Sequence, residues 1–212
     1  HLITDFLITK SFFMDIQYRF VTPLVFFKNT ELLNDLKKYI YKQNVKGIES
    51  NCAPHLKKNL VESDFDLFSK NDIVIEKTKN FIGNSITELI NCLHREDSTY
   101  NINFIDSWFH IGKTNSLHEP HIHGNCSWCG VYYVDIGDEG SGETTFKNPV
   151  YSTYSDDGSR WHFAGELSRV QPENGLLVLF PSYLSHYQSI YTGEKDRIVV
   201  AFNAQIFIHK WS

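Results

Sequence analysis

The chain has 212 residues, of which 42% are hydrophobic and 21% charged, as expected for a globular protein that buries its own core. A net charge of -5 and a pI near 6.0 argue against a protein that binds the nucleic-acid backbone, because such proteins carry a basic surface. Apolar runs such as residues 24–27 are far shorter than the roughly 20 residues that cross a bilayer, so we expect no membrane span.

The cysteines and the N-terminus bear on the cellular compartment. The four cysteines are Cys52, Cys92, Cys126 and Cys129. A chain of this length does not need disulfides, so we expect free thiols and a cytoplasmic protein. Asp5 and Lys10 interrupt the first apolar residues before a secretory signal could form. Met14 is the only methionine, and we interpret it as the native start.

The first half of the chain predicts one strand and two helices. Residues 19–27 are β-branched and aromatic, and Pro23 makes them typical of an edge strand. Asn29 and Thr30 precede apolar residues at helical spacing up to Ile40, which predicts a capped helix. A second helix is predicted over residues 71–92. Residues 47–69 show no sustained period and are predicted to be loop with a short helical piece.

After Asp97 the helical spacing stops, and short apolar runs alternate with turn residues. These runs are Ile102–Ile111, Ser127–Val134, Thr144–Phe146, Trp161–Phe163, Leu176–Phe180, Tyr187–Tyr191 and Ile198–Ile208. Such spacing predicts a β-sandwich or barrel. Residues 153–159 are polar and are predicted to form a loop long enough to cover a site. Without repeats or linkers, we expect one domain, with residues 1–97 as an N-terminal extension of a core over residues 98–212.

Three histidines from two distant stretches predict a metal site. His121 and His123 are two residues apart, and on an extended chain such side chains share a face. His186 follows the apolar run 176–180 and a Pro181-Ser182 corner, where a loop can aim a side chain at the same point.

Arg197 begins an apolar strand, which favours burial, and a buried guanidinium needs an anion such as a carboxylate. Asn203 shares the strand face of Arg197 and is predicted to point into the same cavity. Tyr133 shares a face with Cys129 and is predicted to form part of the cavity wall. The residues therefore predict a metal centre beside an anion-binding arginine.

Four segments carry a family resemblance: His121-Ile122-His123 through Cys129-Gly130-Val131-Tyr132-Tyr133-Val134, residues 140–146, residues 175–186, and residues 197–203. They resemble the iron(II) and 2-oxoglutarate dependent oxygenases. The resemblance extends from about Asp106 to Gln205 and covers the N-terminal helices only loosely. It implies an all-β core folded as a double-stranded β-helix, or jelly roll, of about eight strands. Two N-terminal α-helices are expected to pack on the outside of one sheet.

The resemblance also implies an activity and roles for single residues. The chain is expected to be a dioxygenase that uses Fe(II), 2-oxoglutarate and oxygen to hydroxylate a substrate, with release of succinate and CO2. His121 and His186 would bind iron, and Arg197 the distal carboxylate of 2-oxoglutarate. His118 stands where related enzymes often place a tyrosine that hydrogen-bonds this cosubstrate. His123 departs from the pattern, because the wider superfamily has Asp or Glu at that position.

Several alternatives stay open at this point. Glu119, Asp135 or Glu143 could replace His123 as the third ligand. A cupin-like dioxygenase with three histidines would need no keto acid. Cys126 and Cys129, with the histidine pair, could instead hold zinc in a β-sandwich binding module. The substrate, a small molecule or a protein side chain, cannot be read from the sequence, and the oligomeric state is open, with a homodimer among the alternatives.

Overall fold

A computed structural model describes residues 21–45, 56–93, 99–138, 140–149 and 166–210. The strand predicted at residues 161–163, the polar loop at 153–159, Met14 and Cys52 lie outside the described residues.

Nine strands and two α-helices make up the described chain. In order they are β1 (Val25–Lys28), α1 (Leu33–Val45), β2 (Lys57–Glu62), a 3-10 turn (Leu67–Ser69), α2 (Ile73–Leu93), β3 (Thr99–His121), β4 (Trp128–Asp135), β5 (Thr144–Lys147), β6 (Leu167–Val170), β7 (Leu176–Pro181), β8 (His186–Tyr191) and β9 (Arg197–Lys210).

The strands form one curled antiparallel sheet in the order β1-β7-β4-β9-β3-β8-β5-β6, with β2 added on β3. The 23-residue strand β3 joins the two layers of this sheet. Residues 99–112 of β3 pair with β9, and residues 116–121 pair with β8. Between these parts Asn115 has a positive φ of 63°, which bends the strand from one layer into the other. The predicted jelly-roll core is therefore confirmed.

The inner faces of the two layers enclose a small apolar core. Phe146 from β5 and Val170 from β6 pack against Tyr133, Val178 and Val199 from the opposite layer. Strand side chains alternate between faces, so the remaining side chains of β4, β7 and β9 point outward.

The two helices cover that outer face, as predicted. The side chain of Asn29 accepts a hydrogen bond from the backbone N–H of Glu31 at 2.9 Å, and α1 begins shortly after this turn. Apolar residues of both helices, including Ile40 and Ile82, are fully buried in one cluster with outward residues of the sheet such as Val200. This burial explains the helical spacing seen in the sequence.

Three strand predictions require correction. Part of the segment predicted as loop at 47–69 is strand β2, whose two buried residues are Leu60 and the charged Glu62, so a clear apolar alternation is missing. The predicted strand 102–111 extends to His121, because its second half is polar where it passes the site. The four-residue strand β6 was not predicted, since Ser168 and Arg169 at its centre are exposed.

Within the described ranges, neither helix combines the length and apolar character needed to cross a membrane.

Candidate metal centre

The three predicted histidines converge at one end of the sheet. His121 is the last residue of β3, His186 is the first residue of β8, and the two are register partners. His123 follows two residues after β3. One nitrogen from each ring lies within 4.8 Å of the others, and Nε2 of His123 is 3.3 Å from Nε2 of His186. This spacing suits three rings that bind one ion.

Backbone carbonyls orient two of the rings. Nδ1–H of His121 donates to the carbonyl of Glu119 at 2.8 Å, and Nδ1–H of His186 donates to the carbonyl of Leu184 at 2.9 Å. A carbonyl can only accept, so the proton of each neutral ring is on Nδ1 and the lone pair is on Nε2. Both Nε2 atoms are thus ready to bind a metal ion.

The position of His123 has a different cause from the one predicted. Strand parity does not apply, because His123 lies beyond the end of β3. Its backbone N–H instead donates to the carbonyl of Ser182, in the turn between β7 and β8, at 3.1 Å. This bond ties the loop that carries His123 to the turn that precedes His186.

Burial keeps the three imidazoles neutral. It lowers the pKa of His123 to about 4 and that of His186 to about 3, and it also lowers the pKa of His121. Only the neutral imidazole binds a metal ion. At neutral pH the site therefore already has the protonation state that Fe(II) requires, and three ligands leave coordination positions open for a cosubstrate.

The alternative ligand sets are not formed in the described part of the chain. There, the three histidines are the only group of three or more ligand-type side chains that converge, and no carboxylate joins them. Asp135 pairs with Lys37, and Glu143 accepts a hydrogen bond from Gln171. Glu119 is exposed.

Cys126 and Cys129 do not join the histidines either. Their sulfur atoms lie 3.6 Å apart and share a hydrogen bond. Burial raises the pKa of both thiols, whereas zinc binds thiolates. The zinc-binding alternative therefore lacks the geometry that it needs.

Arg197 is buried in the cavity beside the histidines, with 1% of its surface exposed. Its Nη1–H donates to Oε1 of Gln188 at 2.9 Å, and the guanidinium lies 5.3 Å from the ring centroid of Tyr133. Its Nε has no partner, and no carboxylate in the described ranges forms an ion pair with it. Burial lowers the pKa of Arg197, yet a guanidinium remains charged in proteins. The site therefore presents an unpaired cation that a ligand carboxylate fits.

Of the three other residues predicted at the site, one lines the cavity, one lies beneath Arg197 and one does neither. His118 lines the cavity, and its ring stacks on His121 with centroids 3.9 Å apart. Tyr133 is fully buried beneath Arg197, and its hydroxyl shares a hydrogen bond with Thr144. Asn203 donates to Asp106 at 3.0 Å and does not line the cavity.

Other residues of the cavity wall were not predicted. Gln188 shares the strand face of His186, so period two could have indicated it. Trp108 stacks on His123 with ring centroids 6.1 Å apart. His110 lies on the same wall and contacts Glu62 of β2. The sequence carries no signal for this last contact, because strand β2 itself was missed.

Comparison with known families identifies the chemistry of this cavity. Residues 106–203, which contain all three histidines and Arg197, match the family described as putative 2OG-Fe(II) oxygenase. Together with the similar solved structures described below, this match indicates a 2OG-Fe(II) dependent oxygenase. Fe(II) and 2-oxoglutarate are thus the cofactors of the oxygenase, as expected from the sequence. No curated protein matched the oxygenase in a sequence comparison.

Solved structures support the fold over most of the oxygenase. A prolyl-4-hydroxylase from Pseudomonas putida is 13% identical with a TM-score of 0.61, and the match covers 86% of this chain and 92% of the hydroxylase. A prolyl hydroxylase from Trichoplax adhaerens, in complex with a hypoxia inducible factor fragment, is 12% identical with a TM-score of 0.56, over 85% and 83%. HygX from Streptomyces hygroscopicus, with nickel and 2-oxoglutarate bound, is 11% identical with a TM-score of 0.55, over 87% and 83%.

Proposed function

We propose that His121, His123 and His186 hold Fe(II) and that Arg197 binds the distal carboxylate of 2-oxoglutarate. The enzyme would hydroxylate a substrate that is not yet identified. The observation that carries this proposal is the buried, unpaired guanidinium of Arg197 in the same cavity as three neutral imidazoles. When bound, Fe(II) would activate oxygen, which is the oxidant: one oxygen atom ends in succinate as 2-oxoglutarate loses CO2, and the other is placed on the substrate.

The neighbours of Arg197 prepare it for a carboxylate. Gln188 receives one N–H of the guanidinium through its amide oxygen and donates its own N–H to Ser116 at 3.3 Å. Tyr133 lies beneath the guanidinium and is itself fixed by Thr144. The arginine is therefore held in place before a ligand arrives, which reduces the entropy lost on binding.

Charge also favours this cosubstrate. Three neutral imidazoles leave the full double charge of Fe(II), whereas a carboxylate ligand would cancel one unit. Together with Arg197, the cavity then attracts a dianion strongly. Apolar residues such as Phe180 and Val199 line the remaining wall and keep water away from the reacting atoms.

The similar structures and the charge of the chain bear on the class of substrate. Among the similar structures, one contains a peptide fragment and another contains hygromycin B. A protein side chain and a small molecule therefore both remain candidates here, and the net charge of -5 disfavours nucleic acid. Free thiols at Cys92, Cys126 and Cys129 support a cytoplasmic location.

The proposal can be tested without knowing the substrate. Fe(II) and 2-oxoglutarate, mixed anaerobically with the enzyme, should give a visible charge-transfer band. Admission of oxygen should then give succinate slowly. Arg197→Gln should weaken 2-oxoglutarate binding by at least about 30-fold, because it removes a buried charge partner.

Arg169→Gln is the matched control, because Arg169 is an exposed arginine on β6. Equal 2-oxoglutarate affinity in the two variants would contradict the role of Arg197. Oxygen consumption without succinate would contradict the use of a keto acid.

A further inference from the structure

A second polar cluster, formed by Lys57, Glu62 and His110, meets the cavity at His110, which is part of the cavity wall. Glu62 is fully buried, and its Oε2 lies 2.6 Å from Nε2 of His110 and also contacts Nζ of Lys57. Lys57 and Glu62 belong to β2, outside the region that matches the oxygenase family. Burying such charges is costly, and clusters of this kind are enriched at functional sites.

The strand register places His110 between the two ends of the ligand site. On β3 and β9 the paired residues run from Gly112 and Arg197, through His110 and Val199, to Trp108 and Ala201. Trp108 in turn stacks on His123. A ligand that joins Arg197 to the three histidines therefore passes along the ring of His110.

The contacts of His110 determine which nitrogen faces this ligand. Lys57 keeps Glu62 ionised, and the pKa of Glu62 is lowered because hydrogen bonds and charges from His110 and Lys57 outweigh the effect of burial. An ionised carboxylate 2.6 Å away requires a proton on Nε2 of His110. The indole N–H of Trp108 also points at this nitrogen as a donor, at 3.2 Å, but the shorter contact with the charged carboxylate decides the tautomer. Nδ1 has no hydrogen bond to the described residues, so a neutral ring presents a lone pair there.

A lone pair on Nδ1 of His110 would repel the oxygen atoms of the cosubstrate. At neutral pH 2-oxoglutarate carries only acceptor oxygens, and two acceptors facing each other repel. A protonated ring would donate from both nitrogens, to Glu62 and to the cosubstrate. We propose that His110 takes up a proton when 2-oxoglutarate binds, and that Glu62 is the positioning residue that stabilises the imidazolium. The inference rests on the proposed function of Arg197 and the three histidines.

The charges around His110 agree with proton uptake on binding. Besides Glu62, the groups that face it are Lys57 on β2, Arg197 on β9 and His118 on β3. Two of these are cations, and the metal ion adds a further positive charge, so the ring stays neutral in the absence of ligand. Burial likewise lowers the pKa of His110, although Glu62 opposes this effect. A bound dianion reverses the local field and favours the imidazolium.

Calorimetry of zinc-loaded enzyme tests the proposal. 2-Oxoglutarate is titrated near pH 7.5 in phosphate and in Tris, which differ in their enthalpy of ionisation. The difference between the two binding enthalpies then gives the number of protons taken up from the buffer. We expect about one proton for the wild type. Over the same pH range the Kd for 2-oxoglutarate should rise by up to about tenfold per pH unit, the value for one linked proton.

Two variants assign the proton to its residue. His110→Gln should bind 2-oxoglutarate with no proton uptake and a flat pH profile, and Glu62→Gln should reduce the uptake. As the control, His209→Gln, which alters an exposed histidine on β9, should retain it. If His110→Gln does not fold, nitrogen-15 spectra of histidine-labelled wild type replace it, and Nδ1 of His110 should become protonated when 2-oxoglutarate is added.

The outcomes separate the two proposals. Binding of 2-oxoglutarate with no proton uptake, or with uptake retained in His110→Gln, overturns the role of His110 and leaves the proposed function intact. Absence of 2-oxoglutarate binding in zinc-loaded wild type would overturn the proposed function itself.

Discussion

Two charged residues at or next to the cavity, Arg197 and Glu62, stand out because each has a buried side-chain atom without a hydrogen-bond partner. Within the described ranges three buried side-chain polar atoms have no hydrogen-bond partner, namely Nε of Arg197, Oε1 of Glu62 and Oδ1 of Asn203. Leaving such an atom unpaired costs about 1–3 kcal/mol, so its retention needs a reason. For Arg197 we propose that the reason is a carboxylate ligand, and Glu62 belongs to the cluster that meets the cavity at His110.

Gly142 supports the position of Arg197 by having no side chain. Its φ is +74°, and a Cβ atom there would lie 3.0 Å from Nε of Arg197. Gly142→Ala should therefore shift the guanidinium and weaken 2-oxoglutarate binding several-fold, in addition to a backbone strain of about 1–2 kcal/mol. Affinity is measured by calorimetry on metal-loaded protein.

Gly140→Ala provides the control for this substitution. Gly140 also has a positive φ, of +90°, but a Cβ atom there would meet nothing within 4 Å. This variant should share the strain and keep the affinity. Equal loss of affinity in both variants would show that strain, not contact with Arg197, is responsible.

The neutral histidines make the stability of the metal-free protein depend on pH. The pKa is about 4 for His123 and about 3 for His186 in the folded state, against roughly 6.5 in the unfolded chain. Between pH 6.5 and 4 the unfolded chain binds more protons, so the free energy of unfolding falls as the pH falls. Urea midpoints measured in the presence of a chelator should decrease from pH 7 to pH 5.

His123→Gln should partly flatten that dependence, because it removes one of the buried histidines whose pKa is lowered. His209→Gln, at an exposed position on β9, should leave it unchanged. Identical slopes in these two variants would exclude His123 as the source.

The sequence predicted those site residues whose chemistry shows in local spacing. His121, His123, His186 and Arg197 stand next to strand patterns, and the structure brings them into one cavity. His110 could not be found in this way. Its importance depends on Glu62, which lies 48 positions away and reaches it only through the pairing of β2 with β3.

Among the elements, periodicity decided which could be predicted. Both helices bury one apolar face, so a period near 3.6 is visible in the sequence. Strand β2 carries charged residues inward and outward, and β6 has only four residues, so neither shows an alternating pattern. The bend in β3 was equally hidden, because it depends on the backbone conformation of Asn115.

Helix α2 should stabilise the fold through its buried face alone. Ile82 is fully buried in the main core, whereas Ile73, in the same helix, is 65% exposed. Ile82→Ala should lower the free energy of unfolding by about 2–5 kcal/mol, and Ile73→Ala by less than about 0.5 kcal/mol. Urea denaturation measures both. Similar effects of the two substitutions would contradict the packing described.

At the scale of the whole molecule, the hydrophobic core includes more of the chain than the segment that matches the family. Residues 106–203 carry the match, yet the main core also contains residues from α1 and α2, and β1 and β2 extend the sheet. We propose that residues 1–97 and 98–212 form one domain.

Removal of the N-terminal part should therefore prevent folding. A fragment of residues 98–212 would expose the outward face of β4, β7 and β9, including Tyr132, Leu179 and Phe202, to water. We expect this fragment to bind a hydrophobic dye and to lack a cooperative thermal transition in circular dichroism. A fragment that unfolds cooperatively would instead make residues 98–212 an independent domain.

The hydrogen bond between His123 and Ser182 affects local opening of the backbone next to the three histidines. It links the loop after β3 to the turn before β8, and the register pair of His121 and His186 closes the ladder between the same two strands. An ion bound by all three rings would cross-link these two segments and make their local opening rarer. Deuterium incorporation near residues 121–127 and 182–187 should then slow when metal is added, while amides of the helices exchange at an unchanged rate.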